Sequence, residues 1–194
     1  MYRCLIANRG EIAVRIIRAC RELNIETVAI YAKGDETSLH VSLADQAICI
    51  GEANPLDSYL NIDRIISAAK VTESNAIHPG YGFLSESTNF AKAVEDNHIH
   101  FIGPSKTTME MMGDKITARQ TVHAANVPVI PGSDGEVESV DEIKKLAEEI
   151  GYPLVLKAAS GGGGKGIRIV KEPEQLEKSL KEAKSEGQKY FNDD

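Results

Sequence analysis

The chain has 194 residues, of which 42% are hydrophobic, and its formal net charge is −7. This length and composition suffice for one large domain, or for one domain and part of a second, around a buried core. The 29 acidic and 22 basic residues argue against a nucleic-acid partner, which needs a clustered positive field. The three cysteines lack disulfide or zinc spacing and no apolar run reaches membrane length, so we expect a cytoplasmic protein without membrane contact.

The N-terminus predicts a strand followed by a helix. An apolar run at 3–8 has strand length, and the apolar residues after it recur at helical spacing. The helix is predicted to open at the Gly10 turn. Asn8 and Glu11 stand in the two positions of a reciprocal N-terminal cap, so we expect them to satisfy the first backbone N–H groups.

Four further strand patterns alternate with helix patterns. The strands are predicted at 27–31, 47–51, 75–78 and 100–103, and helices are predicted from Ser58 and around Phe90. Strands separated by segments of crossover length indicate a doubly wound parallel sheet, and hence an α/β fold class. Ligands of such sheets bind beyond the carboxyl ends of the strands, where the loops "NRGE" and "HPGYGFLSES" fall.

A second unit begins after a change in composition. The stretch "VPVIPGSDGEVES" is rich in proline, glycine and acidic residues, which marks a boundary or a hairpin. Ser139 and Glu142 form a capping-box pattern, which predicts a helix that ends at Gly151. Two strands and a helix from Pro173 follow. These elements are too few for an independent α+β domain, so we expect the chain to be a fragment.

Between the last two predicted strands, five glycines and one lysine occupy positions 161–166. Each glycine costs conformational entropy, so the run indicates that the backbone approaches a ligand closely. The Walker A and dinucleotide-binding motifs both open a helix, whereas an apolar strand follows here, so we reject both. The remaining interpretation is a hairpin lid whose N–H groups wrap anionic oxygens beside Lys157 and Lys165. The alternative is a glycine linker, with each lysine a solvated surface charge.

The chain contains five stretches in this order: "IANRGEIAVRIIRACRELNIETVAIY", "IHPGYGFLSES", "FIGPS", "MGDK" and "KAASGGGGKGIRIV". Together they closely resemble the N-terminal part of the biotin carboxylase family of ATP-grasp enzymes, over essentially the whole chain. The resemblance implies a Rossmann-like pre-ATP-grasp domain at 1–113 and the start of an α+β ATP-grasp domain at 114–194. A lid subdomain with the glycine-rich loop is implied from about residue 130.

The resemblance also implies a reaction. Members use ATP to convert bicarbonate to carboxyphosphate and then carboxylate biotin held on a biotin carboxyl carrier protein, which is the first half-reaction of acetyl-CoA carboxylase in fatty-acid synthesis. ATP and Mg²⁺ are the implied cofactors, and carboxyltransferase subunits are further implied partners. The family's Mg²⁺ ligands and catalytic residues fall beyond Asp194, so we expect no metal site, no catalytic residue and no turnover in these 194 residues alone.

The resemblance assigns the ATP site to residues of the second unit. Lys115 of "MGDK" and Lys157 of "LVLKA" are implied to contact the phosphates, since phosphoryl transfer depends on positioning and charge neutralisation. Gly163 and Gly164 are implied to close over the phosphates, together with Lys165.

The resemblance assigns two other sites to the first unit. Tyr81 and Gly82 are implied to lie near bicarbonate and biotin, with Glu86 in support; from the residues alone, a stable turn with a packed tyrosine is equally open. A homodimer contact is implied for the helix face that carries Arg15, Arg18 and Glu22, where the residues alone favour a solvated charge face. The histidines show no common ligand spacing, so we assign them no metal.

Three alternatives stay open. The same domain heads longer biotin enzymes such as pyruvate carboxylase or another acyl-CoA carboxylase. Other ATP-grasp ligases, for example carbamoyl-phosphate or purine-pathway enzymes, are separated by whether the ATPase depends on free biotin. The third alternative is a non-catalytic nucleotide-binding or dimerisation module.

Overall fold

The structure, a computed structural model, describes residues 2–133, 135–137, 139–157 and 167–191, with side chains up to residue 186. The chain forms two compact units, Met1–Gly113 and Asp114–Asp194. The glycine-rich run at 161–166 lies outside the described residues. No helix in the described part of the chain is both long and apolar enough to cross a bilayer.

The first unit is a parallel α/β sheet. Its elements are β1 (Arg3–Ile6), α1 (Gly10–Glu22), β2 (Glu26–Ala32), α2 (Leu39–Leu43), β3 (Gln46–Gly51), α3 (Ile62–Val71), β4 (Ala76–His78), α4 (Thr88–Asp96), β5 (His100–Phe101) and α5 (Lys106–Gly113). The strand order is β3-β2-β1-β4-β5, and every pair is parallel. The predicted α/β class and parallel sheet are confirmed.

Helices cover both faces of this sheet. Along β1, Cys4 and Ile6 pack with α1 on one face, whereas Leu5 and Ala7 belong to the larger core with α3 and α4 on the other. The alternation follows from the two-residue period of a strand. Each large side chain that is fully buried in this way stabilises the fold by about 1.5–3 kcal/mol, so the central strand is fixed from both sides.

The chain reverses its direction of sheet growth between β3 and β4. Strands β2 and β3 extend the sheet on one side of β1, whereas β4 and β5 extend it on the other. In register, Ile6 lies opposite His78, so the carboxyl ends of β1 and β4 stand side by side. Such a switch point opens a crevice in which doubly wound sheets bind their ligands.

The expected reciprocal cap of α1 is wrong. Arg9 is the N-cap residue and makes no side-chain capping bond. The Asn8 amide donates to carbonyls of the loop after β4, and Glu11 accepts from Tyr81 and pairs with Arg15. Tertiary partners have therefore replaced the local bonds that the sequence pattern predicts.

The third helix also begins later than expected. A 3₁₀ turn at Pro55–Asp57 delays the helix beyond Ser58, whose backbone is not helical at φ −147° and ψ −96°. Asn61 is the N-cap of α3, and its side chain accepts from the Arg64 N–H at 3.1 Å. Helix α2 was not expected from the sequence, since its five residues are too few to show a period.

The second unit contains one hairpin and three α-helices in the part that is described. Its elements are α6 (Lys115–Ala124), α7 (Val140–Ile150), β6 (Leu154–Lys157), β7 (Ile167–Val170) and α8 (Leu176–Phe191). Ser139 caps α7 as expected, accepting from the Glu142 N–H at 3.1 Å. Strands β6 and β7 are antiparallel, and a small core of Ile143, Val170 and Leu176 joins them to α7 and α8.

Candidate functional site

The loop after β4 is built onto the end of β1. The parallel ladder of the two strands ends where the Ala7 N–H donates to the His78 carbonyl at 2.9 Å. One residue further, the Asn8 side-chain amide donates to the carbonyls of Pro79 at 2.7 Å and Tyr81 at 2.8 Å. Asn8 is only 3% exposed, so these bonds satisfy a buried amide that would otherwise be costly. The side chain thus continues the ladder into the loop.

Glycine is required at the centre of this loop. Gly80 has φ +68°, and a Cβ there would stand 2.9 Å from Asn8 Nδ2 and 3.1 Å from Ile12 Cγ1. Its N–H donates to His78 Nδ1 at 3.0 Å, which places the imidazole proton on Nε2. Burial lowers the pKa of His78, so the ring accepts this bond as a neutral group.

A second anchor holds the loop at Phe83. The Phe83 ring stacks on Tyr59 with centroids 5.2 Å apart, and the Arg9 guanidinium lies 5.3 Å from the Tyr59 centroid. Arg9 also pairs with Asp35 at 3.1 Å, while the Tyr59 hydroxyl donates to the same carboxylate at 2.7 Å. Burial alone would raise the pKa of Asp35, but these two hydrogen bonds and the Arg9 charge outweigh it, so the carboxyl pKa is lowered and the ion pair persists at neutral pH.

Two of the three residues predicted for bicarbonate and biotin, Tyr81 and Gly82, line an open cleft. Residues 8–12 and 81–83 line this cleft, which has a volume of about 410 Å³. Tyr81 is 60% exposed, and its hydroxyl donates to Glu11 at 2.9 Å, a bond that raises the tyrosine pKa. Gly82 has φ +69° and open space where a Cβ would stand. Glu86 is exposed on the same loop but is not among the residues that line the cleft. The structure thus brings Tyr81 and Gly82 to the cleft, beside the start of α1.

The predicted dimer residues lie together on the outer face of α1. Arg15, Arg18 and Glu22 are all exposed, since the opposite face of the helix packs on the sheet. Arg15 is 3.6 Å from Glu11 of the same helix, an exposed pair that contributes about 0.5 kcal/mol. The face is therefore available for a partner.

The predicted ATP residues belong to the second unit. Lys115 is exposed and is the first residue of α6, directly after the Asp114 cap, which accepts from the Thr117 N–H at 2.7 Å. Lys157 is exposed at the last position of β6, opposite Ile167 at the first position of β7. Gly163, Gly164 and Lys165 lie outside the described residues.

The hairpin presents an apolar face around Lys157. Cross-strand neighbours share one face of an antiparallel pair, so Lys157 and Ile167 stand together, as do Val155 and Ile169. All four are exposed, whereas the alternate residues pack toward α7 and α8. A lysine set in an exposed apolar surface suits a ligand that is anionic at one end and flat and apolar at the other.

Side chains that commonly bind metals do not cluster in the described part of the chain. No three histidine, cysteine, aspartate or glutamate side chains converge in the described ranges.

Two family models match the chain. The model described as "Biotin carboxylase, N-terminal domain" matches residues 1–109, and "Carbamoyl-phosphate synthase L chain, ATP binding domain" matches residues 114–194. The first match covers more than half of the chain. The chain belongs to the biotin carboxylase family.

Relatives within the family agree with this assignment. The chain is 53% identical to biotin carboxylase 1 of Bacillus subtilis, over 97% of the chain and 42% of that protein. It is also 53% identical to pyruvate carboxylase of Staphylococcus aureus, over 97% of the chain and 16% of that protein. The chain thus spans less than half the length of each of these relatives.

A solved structure is similar to both units. It is the biotin carboxylase domain dimer of the Hydrogenobacter thermophilus 2-oxoglutarate carboxylase, in complex with MgADP, ADP and bicarbonate. The TM-score is 0.84 at 50% identity, and the match covers 98% of this chain and 42% of that one. The predicted membership of the biotin carboxylase family is confirmed.

Sequence reasoning missed the Arg9, Asp35, Tyr59 and Phe83 cluster. Asp35 could have been found, because it follows β2 at the same sheet edge as "NRGE", where strand ends of a parallel sheet meet. Tyr59 and Phe83 carry no local signal, since they become neighbours only when the loop folds back. The exposed face of the hairpin could have been predicted from the sequence, because side chains on either side of Lys157 alternate between the two faces of a strand.

Proposed function

We propose that the full-length protein is an ATP-dependent biotin carboxylase. A bicarbonate oxygen attacks the γ-phosphorus of ATP, which gives carboxyphosphate and ADP. The carboxyl group then passes to the ureido nitrogen of carrier-bound biotin, with release of phosphate. The observation that carries the proposal is the similarity to a biotin carboxylase domain that binds MgADP and bicarbonate, at 50% identity over 98% of the chain.

The first unit supplies the bicarbonate and biotin end of the site. Gly82 leaves its backbone accessible at the cleft, and Tyr81 brings a hydroxyl whose position is held by Glu11. The Gly82 backbone N–H suits the oxygens of bicarbonate and the ureido carbonyl, because each of these is a hydrogen-bond acceptor. The Tyr81 hydroxyl gives its one hydrogen to Glu11, so its oxygen suits a donor such as a ureido N–H of biotin. Glu86 is assigned a supporting role on the same loop.

The second unit binds the nucleotide. Lys157 contacts the phosphates from the rigid end of a strand, and the apolar side chains of Val155 and Ile167 lie beneath the base. Lys115 adds a second positive charge at a helix N-terminus, where backbone N–H groups also favour anions. The loop with Gly163, Gly164 and Lys165 closes over the phosphates and keeps water from the carboxyphosphate.

The remaining components come from outside the chain. Mg²⁺ neutralises phosphate charge when bound, and its ligands are assigned to the part of the protein beyond Asp194. The proposed partners are a biotin carboxyl carrier protein, carboxyltransferase subunits and a second copy of the same protein through Arg15, Arg18 and Glu22. We assign the protein to the cytoplasm and to fatty-acid synthesis, and the three free cysteines are compatible with a reducing compartment.

The test measures phosphate release and carboxybiotin formation by the full-length protein with ATP, bicarbonate and free biotin. We expect release to depend on both bicarbonate and biotin. Lys157→Ala should lower kcat/KM for ATP by about 100-fold, as for loss of one charged phosphate contact. Lys171→Ala, at an exposed lysine one residue after β7, is the matched control and should change it less than twofold. ATP cleavage that ignores biotin would point to another ATP-grasp ligase.

Pyruvate carboxylase is the second candidate, because the chain is 53% identical to the S. aureus enzyme as well. Biotin carboxylation is the same half-reaction in both proposals, so the described residues keep their roles. The two are separated by the acceptor: pyruvate or an acyl-CoA is supplied to the full-length protein with its partners, and the carboxylated product is identified.

A non-catalytic nucleotide-binding module is the remaining alternative. Calorimetry of ATP binding addresses it together with the kinetic assay. Binding that is unchanged in both Lys115→Ala and Lys157→Ala would remove the phosphate roles proposed for these lysines.

A further inference from the structure

The Asn8 side chain does more than fill a buried space. It stands where the β1–β4 ladder ends, and it donates both amide hydrogens to the loop carbonyls of Pro79 and Tyr81. Its Oδ1 accepts from the Arg9 N–H at 2.9 Å, so the amide orientation is fixed by three bonds. A buried group held in one orientation by three bonds acts as a rigid template for the loop.

The Tyr81 carbonyl determines where the next N–H points. Tyr81 C=O and Gly82 N–H belong to one planar, trans peptide, so they point in opposite directions. Because the carbonyl is held against Asn8, the Gly82 N–H is turned away from Asn8. Gly82 is exposed, has φ +69° and has no atoms near the place of a Cβ, so the surroundings of this residue are open.

We infer that Asn8 is the positioning residue that aims the Gly82 N–H at an acceptor oxygen of the bound substrate. This inference rests on the proposed function of the Tyr81 and Gly82 loop and adds the residue that orients it. The acceptor is either a bicarbonate oxygen or the ureido carbonyl of biotin, which present the same chemistry to an N–H donor. Asn8 itself is buried and touches no substrate.

The close approach of Gly80 to Asn8 is a second observation that supports this positioning role. A Cβ at Gly80 would stand 2.9 Å from Asn8 Nδ2, so the loop approaches the amide as closely as a glycine allows. Gly80→Ala therefore pushes the loop off the amide without altering Asn8. Asn8→Asp keeps the shape of the side chain but replaces both donors with a carboxylate that repels the two carbonyls.

The experiment uses steady-state kinetics of the full-length enzyme with ATP, bicarbonate and free biotin. For Asn8→Asp we expect KM for bicarbonate or for biotin to rise at least tenfold while KM for ATP stays within twofold. The substrate whose KM rises identifies the acceptor. Gly80→Ala should raise the same KM, and this variant tests the proposal if Asn8→Asp does not fold.

The matched control is Asn97→Asp. The Asn97 amide donates to the Ala93 carbonyl at 2.7 Å at the end of α4, so the variant makes the same chemical change away from the cleft. It should lower the melting temperature but leave all three KM values within twofold. If Asn8→Asp matches this control, or raises all three KM values equally, the positioning role is wrong. A wild-type enzyme that does not carboxylate biotin would instead overturn the proposed function.

Discussion

The Tyr59 hydroxyl joins Asp35 to the end of β2. It donates to the Asp35 carboxylate at 2.7 Å and accepts from the buried Ala32 N–H at 3.0 Å. Tyr59→Phe removes both bonds and leaves the Ala32 N–H without an acceptor. Since a buried unpaired N–H costs about 1–3 kcal/mol, we expect the free energy of unfolding in urea to fall by about that amount.

The matched control is Tyr31→Phe. Tyr31 lies on the same strand but is only partly buried, so its loss of a hydroxyl should change the unfolding free energy by less than about 0.5 kcal/mol. Equal effects of the two substitutions would mean that the Tyr59 hydroxyl contributes nothing specific. The Tyr59 variant should also raise the Asp35 pKa, because one of the two hydrogen bonds that lower it is gone.

The buried His40 makes stability depend on pH. The imidazole is 1% exposed, its Nε2 lies 3.3 Å from the Ile30 carbonyl, and no described residue pairs with its Nδ1. Burial lowers the pKa of His40, and the Arg9 charge lowers it further, whereas the Ile30 carbonyl and the Asp35 charge only partly oppose this. Protonation would therefore place an unpaired charge in the core.

The direction of the pH effect follows from this lowered pKa. The unfolded chain binds a proton at His40 near pH 6.5, above the folded-state pKa, so stability is full above pH 6.5 and falls as the pH drops below it. His40→Gln removes the titration and retains a donor for the Ile30 carbonyl. We expect urea unfolding of the wild type to lose more stability between pH 8 and pH 5 than the variant does. Parallel losses would assign the pH effect to other groups.

Much of the fold was predictable because its signals are local. The five strands of the parallel sheet and helix α7 follow from apolar periods and from a Ser139 cap that operates within four residues. The cap of α1 failed because Asn8 bonds to residues more than seventy positions away. A pattern of residue types states which bonds are possible, and the tertiary structure decides which are made.

The candidate site was also predictable only in part. The sequence correctly placed Tyr81 and Gly82 at the sheet edge, because the carboxyl ends of parallel strands, and the loops that follow them, lie at one edge of the sheet. The stack of Phe83 on Tyr59 beneath Arg9 was not predictable, because Phe83 adopts φ +42° in a loop without a repeating pattern. The roles proposed for the lysines and the glycine lid stay predictions.

The apolar face of the β6–β7 hairpin predicts a separable contribution to nucleotide binding. If the base lies over Val155 and Lys157 holds the phosphates, Val155→Thr should weaken ATP but not tripolyphosphate, which lacks a base. We expect the Kd for ATP to rise about threefold to tenfold, as for a hydroxyl placed in an apolar contact. Lys157→Ala should weaken both ligands, because both present phosphate oxygens to the lysine.

The measurement is calorimetry on the full-length protein. Val71→Thr is the matched control, since Val71 is an exposed valine at the end of α3 in the other unit and should leave the affinity for both ligands unchanged. If Val155→Thr weakens tripolyphosphate as much as ATP, the base does not lie on this face. If it weakens neither, the hairpin contributes only through Lys157.

The outer face of α1 predicts the oligomeric state. Arg15, Arg18 and Glu22 carry both signs of charge on an exposed helix face, and an isologous contact uses such a face twice, once from each subunit. Arg18→Glu therefore introduces two changes per dimer, each of which replaces an attraction by a repulsion. At about 1.4 kcal/mol for each change, the Kd of the dimer should rise about 100-fold.

Sedimentation velocity of the full-length protein at micromolar concentration should show a shift from dimer to monomer. Lys70→Glu reverses an exposed charge on α3 and should leave the dimer intact. A full-length protein that sediments as a monomer before and after Arg18→Glu would leave this face solvated, as the residues alone suggest.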